Sequence, residues 1–231
     1  MVYDASRLQK DLGYTFKDSS MLKRALTHRS YSKTNNERLE FVGDGILDYA
    51  IALSLYNKYP FLAEGVLSKI RAALVNQDSL SMIATQINLG EYLFIGDGEE
   101  KSGGRLRPSI LADALEAIFA AVSLDSNIQQ AMLVIDNLFK DKFIHAEDLI
   151  DKDSKSILQE YLQASQISPP VYNIIALDGP DHDSVFHVEC VIAELNINIT
   201  ACGKSKKEAS QFSAQKALKL IKERKINGNS K

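Results

Sequence analysis

Residues 36–48, NERLEFVGDGILD, constrain this chain more than any other stretch. On a helix, Glu40, Asp44 and Asp48 fall at about −60°, −20° and +20° from Glu37, forming one acidic stripe. Leu39, Val42, Ile46, Ala50 and Leu53 fall roughly opposite, and that period predicts a core-facing stripe. Like charges one turn apart, as at Glu40 and Asp44, repel. A cation seated against the stripe would remove that cost, and hard divalent ions such as magnesium favour carboxylate oxygens. A solvated acidic face is the alternative. Asn36 is placed to cap the helix, which should run to about Lys58 and stop before Pro60.

A second acidic pair lies in SILADALEAIFAAVSLD, residues 109–124 and the aspartate that follows. Asp113 and Glu116 are about one turn apart. Ile110, Leu111, Leu115, Ile118, Phe119 and Val122 surround them on almost every side, the pattern of a buried helix. Two carboxylates there are costly unless paired or bound to a metal. That helix carries no lysine or arginine of its own. An ion pair with Arg38 or Arg71 is the structural alternative to a metal.

These stretches resemble the ribonuclease III family. The match is carried, in order, by ALTHRS (25–30), NERLEFVGDGILD (36–48), Glu64-Gly65, KSGG (101–104) and SILADALEAIFAA (109–121). Gly45 departs from the serine usual in the family, at a helix cost of roughly 1 kcal/mol against alanine. Ala120-Ala121 replaces small glycines. The resemblance implies an endoribonuclease that hydrolyses double-stranded RNA to 5′-phosphate and 3′-hydroxyl ends, with Mg2+ as cofactor, about two ions per site. It implies Glu40, Asp113 and Glu116 as metal ligands and Asp44 and Glu116 as the catalytic residues. Glu37 and Glu64 become supporting acids, although a carboxylate at a helix start, as at Glu64, is also favoured by the dipole. The resemblance further implies a homodimer in which Phe41 enters the partner subunit; a core position for Phe41 is the alternative. Processing of ribosomal and other RNA precursors is a family expectation.

The rest of the nuclease-like part reads as helices at 4–12 and 18–27, a pair either side of Asn76–Ser79, and helices at 109–124 and about 127–145. His28 and Arg29 lie in a polar connection, where they order the loop, face RNA phosphate or act in catalysis. GDGEEKSGGRLRPS (96–109) is a polar, glycine-rich loop, a connector or a phosphate cradle. It lacks GxxxxGK[ST], so no nucleotide cofactor is expected.

Past a short charged junction at about 147–153 the rhythm changes. SKSILQEYLQASQ is an amphipathic helix. VYNIIAL, SVFHVECVI and NINITACG read as strands. A last helix opens with a capping box, Ser205 with Glu208. The order α-β-β-β-α, with helices on one face of a small antiparallel sheet, resembles a double-stranded-RNA-binding domain. That resemblance implies RNA contacts from Gln159 and Glu160, from His182, and from Lys204, Lys206 and Lys207. A lysine frequent in that family is replaced by Ser210, which would weaken phosphate contact.

The expected fold is thus a mainly α N-terminal endonuclease domain at 1–147, a linker at 148–152, an α+β domain at 153–224 and a basic tail at 225–231. Net charge is −3, too small for a wholly charge-driven RNA binder. The signs are segregated, however. Residues 1–152 carry 17 basic and 21 acidic side chains, net −4, whereas 204–231 carry nine and two, net +7. Of the two cysteines, neither is needed as a staple at this size. The N-terminus does not read as a signal peptide and no apolar run is long enough to span a membrane, so a cytoplasmic location is expected. An RNA-binding regulator with an inactive nuclease domain, and a phosphohydrolase acting on small molecules, are the other function classes. The intact acidic set argues against the first and the C-terminal module against the second.

Overall fold

The long acidic helix has the expected bounds, but the side chain at its start is that of Asn35, whose Oδ1 accepts from the Glu37 amide at 3.1 Å, while Asn36 contributes its backbone carbonyl to the Glu40 amide at 2.9 Å. In the computed structural model, which describes residues 5–60, 62–152, 154–180 and 184–228, it spans Glu37–Lys58 and is α3 in chain order. Before it stand α1 (Ser6–Leu12) and α2 (Ser19–Ala25). After it come α4 (Glu64–Val75), α5 (Gln77–Gln86), the short α6 (Asp97–Lys101), α7 (Pro108–Asp125) and α8 (Ile128–Lys152). The segment read as a linker, 148–152, is therefore helical. The chain divides into two compact units, residues 1–58 with 67–143, and 59–66 with 144–231.

In the first unit α7 is the central post. Ile110, Leu111, Ala114, Leu115 and every residue from Ala117 to Val122 are buried. Helices α2, α3 and α5 pack against it. On α3 the buried face is Leu39, Gly43, Ile46, Leu47, Ala50, Ile51 and Leu55. This differs from the expected stripe, because Val42 is exposed and Leu53 only half-buried. The core face is rotated toward the acids, which therefore border it rather than oppose it. This helix has two apolar sides, and Phe41, Tyr49 and Tyr56 lie on the one the core does not use.

The loop at 96–109 is more ordered than expected, since it holds α6 and one turn of 3-10 helix at Gly104–Leu106. Acids suit the start of α6, and two arginines pin them. Arg105 Nε donates to both Glu100 carboxylate oxygens at 2.8 and 2.7 Å, and Arg107 pairs with Glu99 at 2.5 Å.

The second unit contains α9 (Ser154–Ala164), β1 (Val171–Asp178), β2 (Val185–Ile192), β3 (Ile197–Gly203) and α10 (Lys206–Gly228). The strands form one antiparallel sheet in the order β1-β2-β3, with an irregularity between Ile174 and Ala176. Strand alternation turns Val188, Cys190, Ile192, Ile197 and Ala201 inward. They are buried with Leu158 and Leu162 of α9 and with Ala214, Ala217 and Leu218 of α10. Gly203 lets β3 meet the start of α10; a Cβ there would lie 2.6 Å from the Ala209 amide nitrogen. The capping box forms with one change. Ser205 Oγ accepts from the Glu208 amide at 3.1 Å, while the Glu208 carboxylate accepts from the Lys204 amide at 2.6 Å.

Candidate active site

The site begins with a close approach of two backbones. A Cβ on Gly43 would lie 1.9 Å from the Glu116 carbonyl oxygen, so only glycine lets α3 lie this near α7. The contact sets the carboxylates of α3 beside those of α7. Glu40, Asp113 and Glu116 are half-buried at the edge of the core, and Asp44 is exposed.

Electrostatics record the crowding. Burial, then the charges of Asp44, Asp113, Glu40 and Asp48, push the Glu116 carboxyl up from 4.5 to about 8. Glu40 is raised by burial first, then by Asp113 and Glu37, with Arg29 opposing. Asp113 is raised by burial, against the positive influence of His28 and Arg29. The outer acids of the α3 stripe have cations: Glu37 pairs with Arg29 at 3.5 Å and Asp48 with Arg71 at 3.7 Å. Among the described residues, no lysine or arginine lies within ion-pair distance of Glu40, Asp44, Asp113 or Glu116. The ion-pair alternative for the two acids of α7 is thereby removed, since Arg71 turns to Asp48.

An all-oxygen donor set of this kind suits a hard divalent ion. Among the described residues no three acids already stand at metal-ligand spacing. Glu64 opens α4 in the position that the helix dipole favours.

Beside Glu40 and Asp113 opens a pocket of about 330 Å³, lined also by His28, Arg29, Glu37, Glu99, Arg107 and Ser109. His28 does order its loop. Its Nδ1 meets the Ser30 hydroxyl at 2.8 Å, and that hydroxyl accepts from the Gly96 amide at 2.9 Å. Its backbone amide donates to the Phe94 carbonyl at 2.9 Å. Arg107 and Glu99 were not singled out from the sequence. Their only local signal was opposite charge in a glycine-rich loop, and the folding of α6 is what brings them to the pocket.

Phe41 is 82% exposed, which excludes the core reading for this residue within its own subunit. In the second unit Gln159 and Glu160 are exposed on α9, and Lys204, Lys206 and Lys207 are exposed at the start of α10. His182 lies outside the described residues. Ser210 is buried and its hydroxyl donates back to the Lys206 carbonyl at 2.7 Å. The buried serine presents no cation beside Lys206 and Lys207. Lys216 donates to the Thr200 carbonyl at 3.3 Å and so serves the sheet.

Fold and site together define a helical domain with a cluster of carboxylates where α3 crosses α7, followed by an α-β-β-β-α module with a lysine edge. The Ribonuclease-III-like family matches residues 18–142, and the Double-stranded RNA binding motif matches residues 154–221. Ribonuclease 3 of Chromobacterium violaceum is 47% identical over 219 residues, 94% of this chain and 93% of that protein. Ribonuclease 3 of Neisseria gonorrhoeae is 47% identical over 218 residues, covering 94% and 91%. The crystal structure of the ribonuclease III nuclease domain of Campylobacter jejuni is 45% identical, with a TM-score of 0.59, over 61% of this chain and 96% of that one. The chain belongs to the ribonuclease III family, the endoribonucleases that act on double-stranded RNA. Among the described residues no helix is long and apolar enough to cross a membrane.

Proposed function

We propose that the chain is a magnesium-dependent, homodimeric endonuclease of the cytoplasm. It cuts double-stranded RNA precursors, ribosomal ones included, to 5′-phosphate and 3′-hydroxyl ends. The observation that carries this reading is Glu116, held in a desolvated position among four other carboxylates, with no lysine or arginine paired to it among the described residues. A fold keeps such an arrangement at a cost, and bound divalent cations offset it.

Glu40, Asp113 and Glu116 hold the metal, about two ions per site being expected for phosphodiester hydrolysis. Asp44 and Glu116 are the residues tied most directly to catalysis, with Glu37 and Glu64 in support. Bound magnesium supplies Lewis-acid polarisation of the scissile phosphodiester and lowers the pKa of water. The protein's own residues orient the substrate. Arg29 and His28 place positive potential beside Asp113, where it favours an approaching phosphate.

The second module supplies RNA affinity through Gln159 and Glu160, His182, and Lys204, Lys206 and Lys207. It reads A-form shape and backbone charge rather than sequence. The domain limits that go with this reading are 1–147, 148–152, 153–224 and 225–231. A two-fold pair of subunits matches the antiparallel strands of a duplex, one site per strand. Phe41, Tyr49 and Tyr56 form an exposed aromatic row along α3 suited to that contact. A second C. jejuni nuclease-domain structure, 45% identical with a TM-score of 0.59, is described as flexible in a region involved in dimer formation.

Incubating the protein with a long RNA duplex, with and without magnesium, tests the proposal. Magnesium-dependent shortening of the duplex is expected. Binding without cleavage in magnesium would make the protein an RNA-binding regulator. Hydrolysis of small phosphate esters with the duplex left intact would make it a phosphohydrolase.

A further inference from the structure

The outer face of the second unit's sheet carries a nucleophile arrangement unconnected with RNA cleavage. The antiparallel register sets His187 of β2 directly across from Cys202 of β3. Cys202 Sγ lies 3.6 Å from His187 Nδ1, and His187 Nε2 lies 2.8 Å from the Asp178 carboxylate. Asp178 is the last residue of β1. The three side chains thus span all three strands in a row.

The carboxylate fixes the tautomer. Nε2 carries the hydrogen and donates it to Asp178, leaving Nδ1 as a lone-pair acceptor facing the thiol. A nucleophile, a base within reach and a third group orienting that base is the arrangement that activates a cysteine. The two ring nitrogens address opposite partners, so Cys202 and Asp178 cannot chelate one metal ion through this ring. Cys202 is exposed, whereas Cys190, on the inner face, is fully buried. Burial pushes the Cys190 thiol up, so the second cysteine serves as an inert internal reference.

We propose that Cys202 is a modification site for low-molecular-weight disulfides, with His187 as its proton acceptor and Asp178 orienting His187. In the step, the Cys202 S–H proton passes to His187 Nδ1. The thiolate then attacks one sulfur of the disulfide. A new S–S bond forms to Cys202, the original S–S bond breaks, and the departing thiolate takes the proton back from Nδ1. Cys202 is oxidised to a mixed disulfide and one thiol is released, with no further oxidant.

The full-length protein, incubated with oxidised glutathione, tests this when both cysteine peptides are followed by mass spectrometry. The adduct should accumulate on Cys202 while Cys190 stays free, and C202S should take up none. Asp178→Asn and His187→Gln should each slow the adduct by roughly tenfold at unchanged thermal midpoint. That is less than a closed active site supplies, because Asp178 is 71% exposed. If His187→Gln lowers the midpoint, Asp178→Asn decides, since its exposed side chain can change without leaving a cavity. Labelling of Cys190 first would overturn the proposal. So would a Cys202 rate no faster than in the urea-unfolded chain, or one unchanged in Asp178→Asn. None of these readouts involves RNA, so the result stands apart from the nuclease reading.

Discussion

Glu116 sits between Leu115 and Ala117 in an apolar helix, where burial and the neighbouring carboxylates hold its carboxyl in the protonated form. The number of other charges acting on it depends on how near α3 approaches. The raised carboxyl gives a signed pH dependence. Its folded-state value, about 8, lies above the ordinary 4.5, so the folded protein holds this proton where the unfolded chain has lost it. Stability from this group is therefore whole below about pH 4.5, falls as pH rises, and levels off above about pH 8. Metal-free protein in a chelator should show a thermal midpoint that declines across that window. Magnesium requires the charged form, so the midpoint gain on adding it should be larger near pH 8 than near pH 6. Calorimetry at several pH values, with and without magnesium, checks both statements; a gain independent of pH would contradict them.

At the scale of the element, two glycines two residues apart on α3, and so on opposite sides of it, have opposite expectations. Gly43 sits against the Glu116 carbonyl, and Gly45 has nothing within 4 Å. Gly43→Ala should destabilise the fold by about 3 kcal/mol, the upper range of overpacking, because backbone must move. Gly45→Ala should raise stability by up to about 1 kcal/mol through helix propensity. Urea unfolding at one protein concentration measures both. The family departure at Gly45 thus falls on an open surface and leaves the carboxylate set untouched. The ends of α3 were legible from Asn36 and Pro60, but its rotation was not. Val42 and Leu47 have equal claims to the core until α7 is in place. The same surplus of apolar surface leaves Phe41 outside. Phe41→Asp should yield monomer, by sedimentation, and lower cleavage although no catalytic group is touched. A variant that stays dimeric and active would remove Phe41 from the interface.

For the whole molecule, segregation of charge was legible from composition: net −10 for residues 1–203 and +7 for 204–231. The strand order followed from the α-β-β-β-α rhythm. Pairings between strands did not, which is why the row of Asp178, His187 and Cys202 went unseen across 25 positions of sequence. Separation of labour between the parts has a consequence. A fragment ending at Asp151 keeps Glu37, Glu40, Asp44, Glu64, Asp113 and Glu116 and loses the lysines of α10. It should cut duplex RNA at low salt and high magnesium and fail as salt rises, since phosphate contacts weaken with salt. A fragment inert at every salt concentration would show that the second module does more than hold RNA.

The central claim is that the carboxylates where α3 meets α7 hold the metal that cleaves RNA. Glu116→Gln tests it most directly, because the amide keeps the size of the side chain and removes the charge a divalent cation needs. Duplex binding and duplex cleavage are measured on the same preparation in magnesium. The account predicts binding within about twofold of the unaltered protein and a loss of cleavage on the order of a hundredfold or more. Cleavage within a few-fold of the unaltered protein would take Glu116 out of the metal site and contradict the account.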